Sequence, residues 1–217
     1  EAHPDVKAVA TSKDLASVSN EITEPGDANF TSLKYVRDKV LASDKVLFKG
    51  HPIAAVASSS PHVAEEALSL IEVEYEVLPS VTSVEEAMKP DAPLLHEQIT
   101  TASLGGDTAK GTNIAGHDQY KLGDVEKGLE EADFVVEREY RTKTVHQGYI
   151  EPQNGTAWWT PGGHLTIWCS SQGHFNVRDQ TATILGIPVS KIKVIPLEIG
   201  GGFGGKLVSY LEPIASL

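Results

Sequence analysis

Lys191-Ile192-Lys193-Val194-Ile195-Pro196-Leu197-Glu198-Ile199-Gly200-Gly201-Gly202-Phe203-Gly204-Gly205-Lys206 is the stretch on which the reading of this chain turns. Residues 191–199 are rich in β-branched and apolar side chains and predict a strand. The run after Ile199 is almost bare backbone. Glycine reaches φ > 0 at little steric cost and lets a ligand approach the main chain. Exposed N–H groups in such a loop hold anionic groups. A strand that empties into this loop therefore predicts a ligand site, whereas the bland alternative is a tight turn between packed elements. Phe203 among the glycines is not needed for a turn, which favours ligand proximity.

Two familiar patterns overlap the run, and each lacks a part. Gly200, Gly202 and Gly205 fit G-x-G-x-x-G, but a dinucleotide site also needs a following helix and an acidic residue about 20 positions on, and the sequence ends at Leu217. Gly200 to Lys206 also fit the start of a phosphate-binding loop, yet Leu207 stands where Ser or Thr would hold magnesium.

The 217 residues have room for one large domain or two small ones. Thirty acidic against 18 basic residues give a net charge of −12, which argues against nucleic acid and anionic membrane surfaces as partners. The single Cys169 excludes an internal disulfide and a cysteine-based zinc or iron–sulfur site within the chain, and reads as a buried thiol at a strand end. No apolar run reaches membrane-spanning length. Glu1-Ala2-His3-Pro4-Asp5 lacks the basic and apolar regions of a signal peptide. With no Met at its start, the chain is expected to begin inside a longer protein or to have been cut.

Outward from the glycine run, Asn176–Leu185 predicts a helix closed by Gly186 and Pro188. Thr156–Trp159 and Leu165–Cys169 predict a hairpin across Pro161-Gly162-Gly163. Nearer the N-terminus, Val6–Ala10, Lys45–Phe48 and Pro52–Ala57 predict strands, and Thr11 or Ser12 caps a helical turn. Ser60-Pro61 opens a helix with Val63, Ala64, Ala67, Leu68 and Ile71 on one face. Glu72–Leu78 alternates as a half-buried strand, and the order β-β-α-β predicts an α+β layer. Residues 19–33 read as loop, Gln98–Gly116 as linker, and Asp124 as the cap of a short helix presenting Val125, Leu129 and Ala132. Phe134–Arg141 predicts another strand. Trp158, Trp159 and Trp168 are expected to pack a sheet. His146, His164 and His174 lie on different elements without zinc-ligand spacing.

Several segments together resemble the large subunit of the xanthine dehydrogenase and aldehyde oxidase family. They are the glycine run, Ser170-Ser171-Gln172-Gly173-His174-Phe175-Asn176-Val177-Arg178-Asp179-Gln180 with Leu185-Gly186-Ile187-Pro188, and His146-Gln147-Gly148-Tyr149-Ile150-Glu151-Pro152. Val46–Ala57 and Ile71–Pro79 look like that family's α/β hammerhead. The resemblance implies an α+β fold: a hammerhead over residues 1–98, a linker over 99–120, and the beginning of a mixed α+β molybdopterin-binding domain over 121–217.

The same resemblance implies a molybdenum hydroxylase that oxidatively hydroxylates an aldehyde, heterocycle or related small molecule with oxygen from water. The alternative is a non-enzymatic binding or assembly module on the same scaffold; a nucleotide-binding protein is a third reading. The implied cofactor is molybdopterin, with the cytosine dinucleotide form as one option, and the implied partners are a small-molecule substrate and iron–sulfur and FAD subunits or domains. Gln172, Gly173, Gly201, Gly202, Phe203 and Gly204 match the cofactor-binding segments, and Phe203 and Leu207 match substrate-proximal positions. Purine-oxidising members carry glutamate where this chain has Leu207, which points to a less polar substrate. Glu151 is expected to hold neighbouring backbone N–H groups. No residue matches the family's general-base glutamate, so the chain alone is expected to be inactive and to hold no cofactor. A cytoplasmic location is expected, with the periplasm as alternative. Without a ligand, the glycine loop is expected to have little to offset its conformational entropy.

Overall fold

The computed structural model describes residues 3–18, 22–23, 31–97, 100–102, 108–110, 113–114 and 120–217. The loop read over 19–33 and the linker over 99–120 fall largely outside these. In chain order the elements are β1 Val6–Thr11, β2 Ile22–Thr23, β3 Thr31–Ser32, α1 Leu33–Val40, β4 Ala54–Ser58, α2 Pro61–Ser69 and α3 Val84–Ala87. They continue with β5 Thr100–Ala102, β6 Thr108–Lys110, α4 Val125–Glu130, β7 Gly155–Trp159, β8 Leu165–Cys169, α5 His174–Leu185, β9 Ile192–Pro196 and α6 Glu212–Ala215. The chain divides into two compact units, one of Glu1–Pro79 with Gln147–Leu217 and one of Ser80–His146.

The first unit contains the sheet that positions the glycine run. β7 and β8 form the expected antiparallel hairpin, from Gly155 opposite Cys169 to Trp159 opposite Leu165. β9 then pairs with β8 in parallel, from Leu165 beside Ile192 to Cys169 beside Pro196. A parallel neighbour requires a crossover, and α5 supplies it. Its C-terminal end is set by Gly186, left-handed at φ 67°, with Ile187 N–H returning 3.0 Å to Ala182 C=O, so the chain turns back at the glycine the sequence marks.

Alternation along β8 places Leu165, Ile167 and Cys169 on one face, each fully buried against Val177 and Ala182 of α5. Each large aliphatic side chain buried there contributes about 1.5–3 kcal/mol. The helix also serves a second cluster, in which its Ile184 meets Leu15, Val40 and Leu41.

In the N-terminal part, β1 and β4 pair antiparallel with a register shift between Val6 and Ala8. Thr11 caps the turn Ser12–Asp14 in a reciprocal capping box. Ser60 accepts from Val63 N–H at 3.3 Å, and Pro61 opens α2 as its composition predicts. Helix α1 was not foreseen. Its Arg37 Nε–H donates 2.8 Å to Ala16 C=O, a bond between residues 21 apart that local propensity does not encode.

Three strand expectations are corrected. Lys45–Phe48 is not a strand, because Leu47 N–H donates 3.1 Å to His51 Nδ1 instead of joining a ladder. Glu72–Leu78 lacks strand pairing, and its apolar positions are exposed, Val77 at 91%. Phe134–Arg141, in the second unit, also lacks strand pairing and leaves Phe134 and Tyr140 exposed. Alternation defines two faces but names no partner. The tryptophan expectation also needs revision, since Trp158 and Trp159 stand about half exposed on the edge strand β7. Within the second unit, Asp124 accepts from Lys127 N–H at 3.1 Å and caps α4, while Val125 and Leu129 remain exposed. Asn113 Nδ2 donates to the carbonyls of Ala87 and Pro93 there.

Cys169 is buried as expected. Burial, reinforced by the charge of Glu212 and a hydrogen bond to it, pushes the thiol up to about 12. Because the folded state favours the protonated thiol, its stabilising effect is present below the ordinary thiol range and is lost as pH rises toward about 12. Iodoacetamide at pH 8 is therefore expected to leave Cys169 unmodified in the native protein and to alkylate it in denaturant, read by intact mass. Rapid native alkylation would contradict the burial.

Candidate functional site

Because β8 and β9 are parallel, both release the chain at the same end of the sheet, the place where open α/β layers bind ligands. β9 stops at Pro196, which has no N–H, and Leu197 N–H closes the end with a 2.9 Å bond to Cys169 C=O. Ser170–Gly173 leaves β8 beside the glycine run. Segment 147–154, leading into β7, forms the third wall.

These walls grip the loop. Gln172 Oε1 accepts from Gly204 N–H at 3.0 Å and Lys206 N–H at 3.4 Å. Gln172 N–H and Ser171 Oγ both donate to Lys206 C=O. From the third wall, Glu151 Oε2 accepts from Gly200 N–H at 2.8 Å, Glu151 N–H donates to Gly200 C=O, and Gln153 Nε2 donates to Gly205 C=O. The expectation of a loop without compensating contacts is thus corrected: its own flanks bond it.

Two glycines make room for these partners. A Cβ on Gly202 would lie 2.4 Å from Gln172 Oε1, and one on Gly200 would lie 2.5 Å from Glu151 Cβ.

Lys206 is the least foreseeable member. Its side chain is 1% exposed, and Nζ lies 2.6 Å from Glu151 Oε2, 3.3 Å from Ser170 Oγ and 5.2 Å from the centre of the Tyr149 ring. A lysine so enclosed does not reach a phosphate as a phosphate-loop lysine would. No helix opens at the loop either, since the next one begins at Glu212. Glu151 does hold a backbone N–H group, but that group belongs to Gly200, 49 positions away, and neither this bond nor the pairing with Lys206, 55 positions away, had a sequence signal. The Lys206 ammonium, then the Gly200 N–H and Asn154, hold the Glu151 carboxyl down at about 2.

The site residues named from sequence divide clearly. Gln172, Gly202 and Gly204 meet in one cluster. Gly173 precedes α5, its N–H bonded to Ser171 Oγ. Phe203 is left-handed at φ 49° and 72% exposed, so it does not anchor the loop in a core. Leu207 is 44% exposed, and its carbonyl accepts from Asn176 Nδ2 at 3.4 Å. Among the described residues no group of three or more His, Cys, Asp or Glu is placed to hold a metal ion.

What the cluster leaves without a partner is a set of donors. Two backbone N–H groups hold the Gln172 oxygen, and its NH2, the donor half of the amide, has no partner among the described residues. The N–H groups of Gly201, Gly202 and Phe203 have no acceptor among the described residues. A group rich in acceptor oxygens fits this arrangement.

The molybdopterin cofactor-binding domain profile matches residues 107–217, and the aldehyde oxidase and xanthine dehydrogenase a/b hammerhead domain profile matches residues 1–79. The nicotinate dehydrogenase large molybdopterin subunit of Eubacterium barkeri is 36% identical over 167 residues, covering 77% of this chain and 36% of that protein. A probable xanthine dehydrogenase subunit of Bacillus subtilis is 34% identical over 212 residues, covering 98% and 25%. Among solved structures, reconstituted CO dehydrogenase from Oligotropha carboxidovorans superposes with a TM-score of 0.72 at 29% identity, covering 98% of this chain and 26% of that one. The chain thus spans about a quarter to a third of the length of these relatives.

Acid should weaken the grip on the loop. A carboxyl held at about 2 contributes stability that is fully present above its ordinary 4.5 and is lost as pH falls through about 2. Melting temperatures from pH 6 to pH 2 are expected to fall less steeply below pH 4.5 in Glu151→Gln than in wild type. Parallel curves would show that the carboxylate does not carry this dependence.

Proposed function

The chain belongs to the aldehyde oxidase and xanthine dehydrogenase family, and we propose that the protein carrying it is a molybdenum-dependent hydroxylase in which residues 170–207 form part of the molybdopterin-facing wall. The observation that carries this reading is the unanswered donor set: the Gln172 NH2 and the N–H groups of Gly201, Gly202 and Phe203, in a loop that its own flanking segments hold in place. Such preorganised donors bind acceptor oxygens without reorganising when the ligand arrives.

When bound, the molybdenum cofactor supplies the redox chemistry that places oxygen from water on the substrate, while the protein binds and orients it. In this reading Gln172 and the Gly201–Phe203 backbone hold it by hydrogen bonds. Gly202, with no space for a Cβ, keeps the backbone close to Gln172. The exposed Phe203 ring and Leu207 line the approach of the substrate. The domain proposal remains a hammerhead over 1–98 and a molybdopterin-binding domain beginning at 121, supported in outline by the matched spans 1–79 and 107–217. Iron–sulfur and FAD subunits or domains are the proposed electron-transfer partners, supported by membership of the family.

Leu207 narrows the substrate class within this proposal. Its side chain offers neither hydrogen bond nor charge, so it gives no polar recognition of a purine at this position. A site that does hydrogen-bond its substrate strongly rejects analogues lacking the group. The names of the relatives, which include nicotinate and xanthine dehydrogenases, leave the choice open, and Leu207 favours aldehydes and other less polar compounds.

The whole protein, purified with its partner subunits, is expected to contain molybdenum and pterin in equal amounts by elemental analysis and pterin fluorescence. Absence of both would refute the assignment and favour the scaffold-only reading. In a substrate panel, aldehydes are expected to be turned over faster than xanthine, with no gain on aldehydes from Leu207→Glu; preference for xanthine over every aldehyde would overturn the role given to Leu207.

A further inference from the structure

Every polar group of Lys206 is committed to the walls of the loop. Its N–H and C=O bond to Gln172, its carbonyl also takes Ser171 Oγ, and its ammonium pairs with Glu151 and reaches Ser170. The side chain thus ties segment 147–154 to the end of β8, from beneath, at the residue where the glycine run ends. The backbone of that same residue helps to fix which way the Gln172 amide faces.

We propose that Lys206, paired with Glu151, is a positioning residue for the bound cofactor: it sets the orientation of Gln172 and of the unanswered N–H groups of Gly201–Phe203 without touching the ligand itself. This rests on the molybdopterin reading above. Enclosure excludes direct contact, because a side chain 1% exposed leaves its ammonium no open path to a ligand. Bond geometry supplies the route of action. Lys206 N–H shares the Gln172 oxygen with Gly204 N–H, so displacement of Lys206 removes one of the two bonds that hold the amide's orientation. The pair is also asymmetric. Glu151 is 29% exposed and can be rehydrated when left alone, whereas Lys206 without its carboxylate is a buried unpaired charge.

Single substitutions test the asymmetry, and a double substitution separates positioning from mere stability. Glu151→Gln is expected to lower the melting temperature more than Lys206→Met. The double variant Glu151→Gln/Lys206→Met removes the buried charge, keeps an acceptor for Gly200 N–H, and is expected to recover the melting temperature, since neutral replacement of a buried pair is often harmless. Two readouts are then taken on the whole protein. In cofactor-free protein, peptides covering 200–206 are expected to lose hydrogen-exchange protection in the double variant. In protein produced with molybdenum, its molybdopterin content is expected to fall by about tenfold or more, the range found when supporting residues around a site are removed. Unchanged exchange at 200–206, or wild-type cofactor content in the folded double variant, overturns the proposal. If exchange protection collapses while wild type itself holds no molybdopterin, the loop-positioning role stands and the cofactor assignment fails instead.

Discussion

The Lys206 ammonium lies 2.6 Å from Glu151 and almost out of reach of water, where an unpaired charge is unfavourable and a neutralised one is tolerated. Much around the site answers to that constraint. Segment 147–154 must bring its carboxylate to the end of the sheet, the strand end must offer Ser170, and the glycine run must finish close enough for its last residue to turn inward. The parallel pairing of β8 and β9 brings the last two together, because it delivers both strand ends to one side.

The division of labour in the loop follows. Gly200, Gly204 and Gly205 are bonded by Glu151, Gln172 and Gln153, while the N–H groups of Gly201, Gly202 and Phe203 between them stay unanswered. A loop bonded throughout would have nothing for a ligand, and one bonded nowhere would have to order itself on binding. The hydrophobic cluster beneath β8 supplies the rigidity for this arrangement, and α5 carries that rigidity into a second cluster through Ile184.

Local chemistry made much of the framework legible in the sequence alone. Ser60-Pro61, Asp124 and Gly186 announced helix ends because capping is decided within a few residues. The β7–β8 hairpin was visible because its turn residues sit between two apolar runs. The glycine run and Gln172 stood out through their resemblance to a known family. What stayed hidden depends on distant partners. Helix α1 is steadied by a carbonyl 21 residues away, the strand-like alternation of Glu72–Leu78 says nothing about a neighbour, and Lys206 gives no hint in sequence that it points inward.

Gly202 and Gly204 resist replacement for unrelated reasons, one volumetric and one chiral. At Gly202 the obstacle is space, because a single methyl group would collide with Gln172. At Gly204 space is open, with nothing within 4 Å of an added methyl group, but φ of 85° suits a D-residue and not an L-residue. No one compensating change elsewhere relieves both demands. A larger cavity beside Gln172 leaves the handedness at 204 untouched, and a relaxed backbone at 204 leaves the crowding at 202. The run therefore carries two independent kinds of restriction, and its sequence has few neighbours that preserve the same surface.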